Sequence, residues 1–290
     1  MTLGVQVGLV MALLTAFTSI VGFLYKHRGS VAAPAVEFRR PVSSSLALFR
    51  SPWYTLGIAV AMGSWGFHVT ALALAPISLV QSVIAGGLVL LTVVADRLFG
   101  FTVTRREWIG VALTAAGLAF LAATLEGTAS EAHSNYEPIR LVLYSGVAGA
   151  GGLLVAKLAS DSPRSGALLG AAAGLIWGAS DVSIKALSGR LDDGAVAVLL
   201  HPLALFILVA SLVGLAVSAR SLQVGEAVSV IAITSAAANV VTIAAGPIVF
   251  GEPLPEDPVG LVLRIAAFVL VITAAALTPP PVRAAELQAA

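Results

Sequence analysis

Residues 166–187 read GALLGAAAGLIWGASDVSIKAL. At 1.5 Å per residue this run is long enough, as a helix, to cross the roughly 30 Å hydrocarbon core of a bilayer. Gly166, Gly170, Gly174 and Gly178 recur at i+4 steps, so they line one helical face and let another helix approach closely. Asp181 and Lys185 lie seven and eleven residues beyond Gly174. At about 100° per residue both point within about 20° of its direction, toward protein rather than lipid. A carboxylate near the centre of a spanning helix costs about 2.5–3.5 kcal/mol on insertion scales, which makes Asp181 a candidate for function. Two readings stay open: Asp181 handles solute or protons, or it forms a structural ion pair with Lys185 one turn away.

The rest of the chain resembles this run. Of 290 residues, 58% are hydrophobic and 11% charged, against roughly 25% charged in an ordinary soluble domain. Such a chain cannot cover itself with polar surface, and its long unalternating apolar runs indicate helices rather than barrel strands. Net charge is +1, which gives no argument for nucleic acid, and the absence of cysteine excludes disulfides and thiolate metal sites. Met1 to Gln6 carries no basic residue, so the first apolar run is expected to be retained as a span rather than cleaved.

Apolar runs between charges, prolines and turn residues predict nine spans, near 4–24, 53–75, 77–97, 107–125, 139–158, 166–187, 195–217, 226–248 and 259–277. The division between the second and third rests on Pro76 and Ser78. Basic residues in short loops mark the cytoplasmic side. Lys26, Arg28, Arg39, Arg40 and Arg50 place the loop 25–52 inside, and the N-terminus outside. Alternation then puts Arg97, Arg105, Arg106, Lys157, Arg164 and the C-terminal Arg283 inside, with Glu126, Glu131, Glu137, Glu252, Glu256 and Asp257 outside. The expected location is the cytoplasmic membrane.

Ser82-Val83-Ile84-Ala85 recurs as Ser229-Val230-Ile231-Ala232, each followed by a Phe-Gly pair, a polar turn and a last apolar helix. Small residues at Gly4, Gly8, Ala12 and Ala16 match in style those at Gly166 to Gly178. The expected fold is therefore all-α and membrane-integral: a four-helix repeat in 1–125, a linking helix with loops in 126–165, and a second four-helix repeat with a short tail in 166–290. An odd number of helices between matching elements inverts the second copy. Inverted repeats are a transporter signature, because two such halves can rock about a site near the midplane.

Three stretches, Ala71-Leu72-Ala73-Leu74-Ala75-Pro76-Ile77-Ser78-Leu79-Val80-Gln81, Arg105-Arg106-Glu107-Trp108-Ile109-Gly110 and Phe250-Gly251-Glu252-Pro253-Leu254, resemble the drug/metabolite transporter superfamily with EamA-like repeats. That resemblance implies a secondary transporter of small solutes. Family members usually have five helices per half and a Gly-Glu pair before the last helix of each; here Gly251-Glu252 keeps the pair and Gly100 lacks it. Nine helices with a basic first loop are similar to the NIPA-type magnesium-transporter branch, which makes a divalent cation the rival solute.

Other candidates for the solute or proton pathway are uncharged or neutral at midplane. His68 lies one turn from Ser64 and beside Trp65, where it serves either a proton relay or a hydrogen bond to the hydroxyl. Gln81 and Ser82 open the third span, and Ser235, Asn239 and Thr242 share a face of the eighth. Such groups either bind solute or link helices. Trp53 and Trp108 adjoin basic loops as interface anchors, whereas Trp65 and Trp177 are deeper and suited to line a cavity. The sequence contains no His-Glu-x-x-His, no Gly-x-Ser-x-Gly and no phosphate-cradling loop, so no enzyme, cofactor or resident metal is expected. A membrane-embedded transferase using His68 and Asp181, or a membrane scaffold, is the alternative of another class. The expected partners are lipid, a small solute, and protons or a cation as coupling ion.

Overall fold

The structure is a computed structural model and describes residues 1–31, 33–34, 41–87, 131–159, 165–225 and 227–277, with isolated positions between 105 and 117. Most of the fourth expected span, the end of the third, Trp108, Phe99-Gly100, Arg39, Arg40, Arg97, Arg106, Glu126, Arg164 and Arg283 lie outside the described residues. All regular structure among them is helical: α1 (Leu3–Val31), α2 (Pro41–Leu48), α3 (Pro52–Leu74), α4 (Ile77–Gly87), α5 (Pro138–Ala159), α6 (Ser165–Ser188), α7 (Ala195–Leu200), α8 (Pro202–Val224), α9 (Ala227–Val249) and α10 (Pro258–Leu277). Five of these, α1, α3, α5, α6 and α8, are long and apolar enough to cross a membrane.

Two boundaries correct the sequence reading. The stretch expected to span 195–217 breaks at His201 and restarts as α8 at Pro202. Proline fits the first turn, where its missing N–H has no intrahelical partner, and the His201 ring accepts the Leu203 N–H at 3.2 Å as the cap. The span therefore lies about seven residues later than expected. Similarly, α1 runs on to Val31 and α2 occupies part of the expected loop 25–52. Lys26 is thereby carried on a helix and buried, with Nζ 4.0 Å from the Phe23 ring centroid.

Helix directions follow from the close approaches. Gly8 of α1 abuts Leu74 and Ala75 while Gly22 abuts Gly57 and Ala61, so α1 and α3 are antiparallel. Gly87 of α4 reaches Leu13 and Ala16, so α4 runs back alongside α1, and the Pro76 break is a true reversal. In the second set, Gly166, Gly170, Gly174 and Gly178 meet successively Gly225, Val230, Thr234 and Val241, so α6 and α9 run in the same direction. Gly214 of α8 meets Trp177, and the end of α8 at Val224 meets Gly166, so α8 opposes α6. The small-residue faces of α1 and α6 thus pack inside their own sets. Close backbone approach is used within each set, α1 against α3 and α6 against α9. The two sets share one core, which includes Val5, Leu72, Ile77, Val182, Ala245 and Phe250.

Candidate functional site

The sets meet where α3 and α6 end. His68 Nε2 lies 3.1 Å from Asp181 Oδ1, with side chains 11% and 20% exposed. An ionised carboxylate only accepts, so Nε2 carries the hydrogen of this bond. Nδ1 of His68 is buried without a hydrogen-bond partner among the described residues. The pair thus links the two helix sets through one contact, with partial exposure left at the carboxylate. Ser64, the hydroxyl expected for His68, bonds to α1 instead: Oγ donates to Thr15 O at 3.1 Å and lies 2.7 Å from Ser19 Oγ.

Lys185, one turn beyond Asp181, turns to different acceptors. Its Nζ donates to Leu72 O at 2.6 Å, Ala75 O at 2.9 Å and Ala132 O at 2.5 Å. Three acceptors match the three N–H groups of an ammonium. The reason lies in Pro76: residue 76 would normally donate its N–H to Leu72 O, and proline has none. Lys185 supplies the missing donor and places positive charge at the negative end of the α3 dipole. The structural reading of an Asp181–Lys185 ion pair is corrected accordingly: the partner of Asp181 is His68.

Glu252, expected in an outer loop, is folded inward and only 4% exposed. Gly251 adopts φ +61°, a left-handed conformation that glycine takes at no cost, and the Glu252 N–H returns to Gly246 O at 3.1 Å. A side chain at Gly246 would collide with the Glu252 carboxylate. So turned, Glu252 accepts the Ser78 N–H at 3.3 Å on Oε1 and the Ser78 hydroxyl on Oε2. Burial pushes its carboxyl above the ordinary range, opposed by the Ser78 hydrogen bonds and by the charges of Lys185 and His133.

Removing Lys185 therefore takes the donor from the Leu72, Ala75 and Ala132 carbonyls. Lys185→Met is expected to lower unfolding stability by about 1–3 kcal/mol or more, the cost of leaving buried acceptors unsatisfied, read as a fall in melting temperature in detergent. An unchanged melting temperature would contradict this account of the α3 end.

The remaining candidates divide. Ser82 Oγ donates to Ser78 O at 2.7 Å and is buried beside the Glu252 contact, and Gln81 is buried with Nε2 unpartnered among the described residues. Asn239 Nδ2 donates to Ser235 Oγ at 3.3 Å, and Thr242 Oγ1 to Ala238 O at 2.9 Å, so these α9 groups bond within their own helix. Trp177 packs edge-on to Phe23, with centroids 6.0 Å apart, joining α6 to α1. Trp65 is 46% exposed. Trp53 lies under Arg28, 3.9 Å from the ring centroid. Sequence reasoning missed Glu252 and Ser78 as partners; Pro76 and the Gly-Glu pair were the available signals.

Comparison with protein-family models, with curated proteins and with solved structures found no match to this chain.

Proposed function

We propose that the protein is a secondary transporter of small solutes that works by alternating access, with His68 and Asp181 on the solute or proton pathway. The observation that carries this reading is the 3.1 Å contact between His68 and Asp181, an ionisable pair at the meeting of two helix sets. Intramembrane ionisable groups that face the bundle interior mark substrate and proton routes. The sets α1/α3/α4 and α6/α8/α9 have the same internal pattern of directions, and α3 ends beside the end of α6. Because α1 opposes α3, α1 and α6 run opposite ways, which supports an inverted repeat and motion of one set against the other.

In this reading the chain has nine spans, an external N-terminus and a cytoplasmic C-terminus, and belongs with the EamA-like drug/metabolite transporters. Topology is tested by labelling single cysteines in this cysteine-free chain. Leu46→Cys in α2 should label from the cytoplasm and Glu137→Cys from outside; the reverse pattern would overturn the orientation. The function itself is tested by solute flux in proteoliposomes, with magnesium as one arm.

A further inference from the structure

A buried carboxylate joins the two helix sets at one end. Glu252, from the segment between α9 and α10, holds Ser78 at the start of α4 through two hydrogen bonds, beside the Lys185 ammonium that caps α3. The charged groups that face it are Lys185 from α6, His133 from the segment before α5, and Arg264 from α10. From α9 it meets Gly246 and from α4 the Ser78 hydroxyl and N–H. Any motion that parts the α3–α4 turn from the α9–α10 segment must break the Ser78 bonds and admit water to Glu252.

We infer that Glu252 is a proton-binding site that couples closure of this seam to uptake of a proton. The inference rests on the reading of two halves that move against each other. No covalent bond changes; a proton from water is held on the carboxyl when the seam closes and returned to water when it opens. The sign follows from linkage. Burial is the largest influence on the closed-state carboxyl and raises its affinity for a proton, whereas water in the open seam restores the ordinary value. The state that binds the proton more tightly is favoured by acid, so low pH closes the seam and high pH opens it. The window lies between the ordinary carboxylate range and the raised closed-state value.

The test places spin labels at Leu3→Cys in α1 and Val259→Cys in α10, both exposed, in the otherwise cysteine-free chain in nanodiscs. Distances are read by double electron–electron resonance from about pH 5 to about pH 9, chosen to bracket shifted carboxylates. The long-distance population should grow as pH rises, with a midpoint above the ordinary carboxylate range. Glu252→Gln should lose the response and stay at the short distance throughout. Ser78→Ala, which removes a bond to the ionised form, should move the midpoint to higher pH by about half a unit or more. His133→Gln should retain the response, and together with the Ser78→Ala shift it keeps the inference falsifiable where Glu252→Gln does not fold.

A parent without pH response, opening on acidification, a response that survives in Glu252→Gln or vanishes in His133→Gln, or a Ser78→Ala midpoint that stays or falls would each overturn the inference. The distance measurement needs no solute. A titrating seam in a protein that moves no solute would sink the transporter reading and leave this one standing.

Discussion

Asp181→Asn is expected to reduce solute flux in proteoliposomes by roughly ten- to hundredfold while leaving the fold intact. A hydrogen bond to a charged group is worth about 1.5–3 kcal/mol, and about 1.4 kcal/mol is a factor of ten. The carboxylate keeps partial exposure at the meeting of α3 and α6, where its ionisation can bear on solute or proton. The competing view is that His68 and Asp181 only hold the two helices together. The views separate under double substitution. If the role is structural, Asp181→Asn with His68→Gln removes both partners, restores stability and restores flux. If the pair serves transport, the double variant melts near the parent and still fails to move solute. Parent-level flux from the double variant across about pH 5.5 to 8, a range spanning shifted carboxylates and imidazoles, would remove the pair from the mechanism.

Gly174→Leu is expected to be the most damaging single change to the fold. A Cβ there would collide with Thr234 O and lie 2.8 Å from Ala237 Cβ and 3.1 Å from the Ala238 N. Two of those three atoms are backbone, so α6 and α9 must separate to admit it. Between helices in lipid there is no hydrophobic drive to offset that loss, and close packing is what holds them. Overpacking typically costs about 1–3 kcal/mol and occasionally more; a leucine against backbone belongs at or beyond the upper end. The readout is recovery of folded protein and melting temperature in detergent. Unchanged values for Gly174→Leu would refute the α6–α9 packing.

Much of this architecture was legible because helices long and apolar enough to cross a membrane show as long apolar runs, and their close packing as glycine spacing. The α6 span, its glycine face and the reversal at Pro76 were all readable from residue type and period. Partner choice was not. Asp181 has a lysine one turn away on its own helix, so the sequence suggests a local pair, yet tertiary packing gives Lys185 to the carbonyls that Pro76 leaves open and gives Asp181 to His68. Glu252 sits in a polar run that looks like an exposed loop; only the left-handed turn at Gly251 brings it inside. The start of α8 was misplaced because the apolar run 195–200 precedes Pro202 and conceals the break.

Flux through the purified protein tests the central claim most directly. Liposomes carrying the parent or Asp181→Asn would be assayed against a panel of small organic metabolites and against Mg²⁺, each with and without a proton gradient. The account predicts saturable flux of at least one organic solute in the parent, altered by the gradient and lost in Asp181→Asn. Flux of Mg²⁺ alone, flux that Asp181→Asn leaves untouched, or no flux from folded parent protein would contradict it.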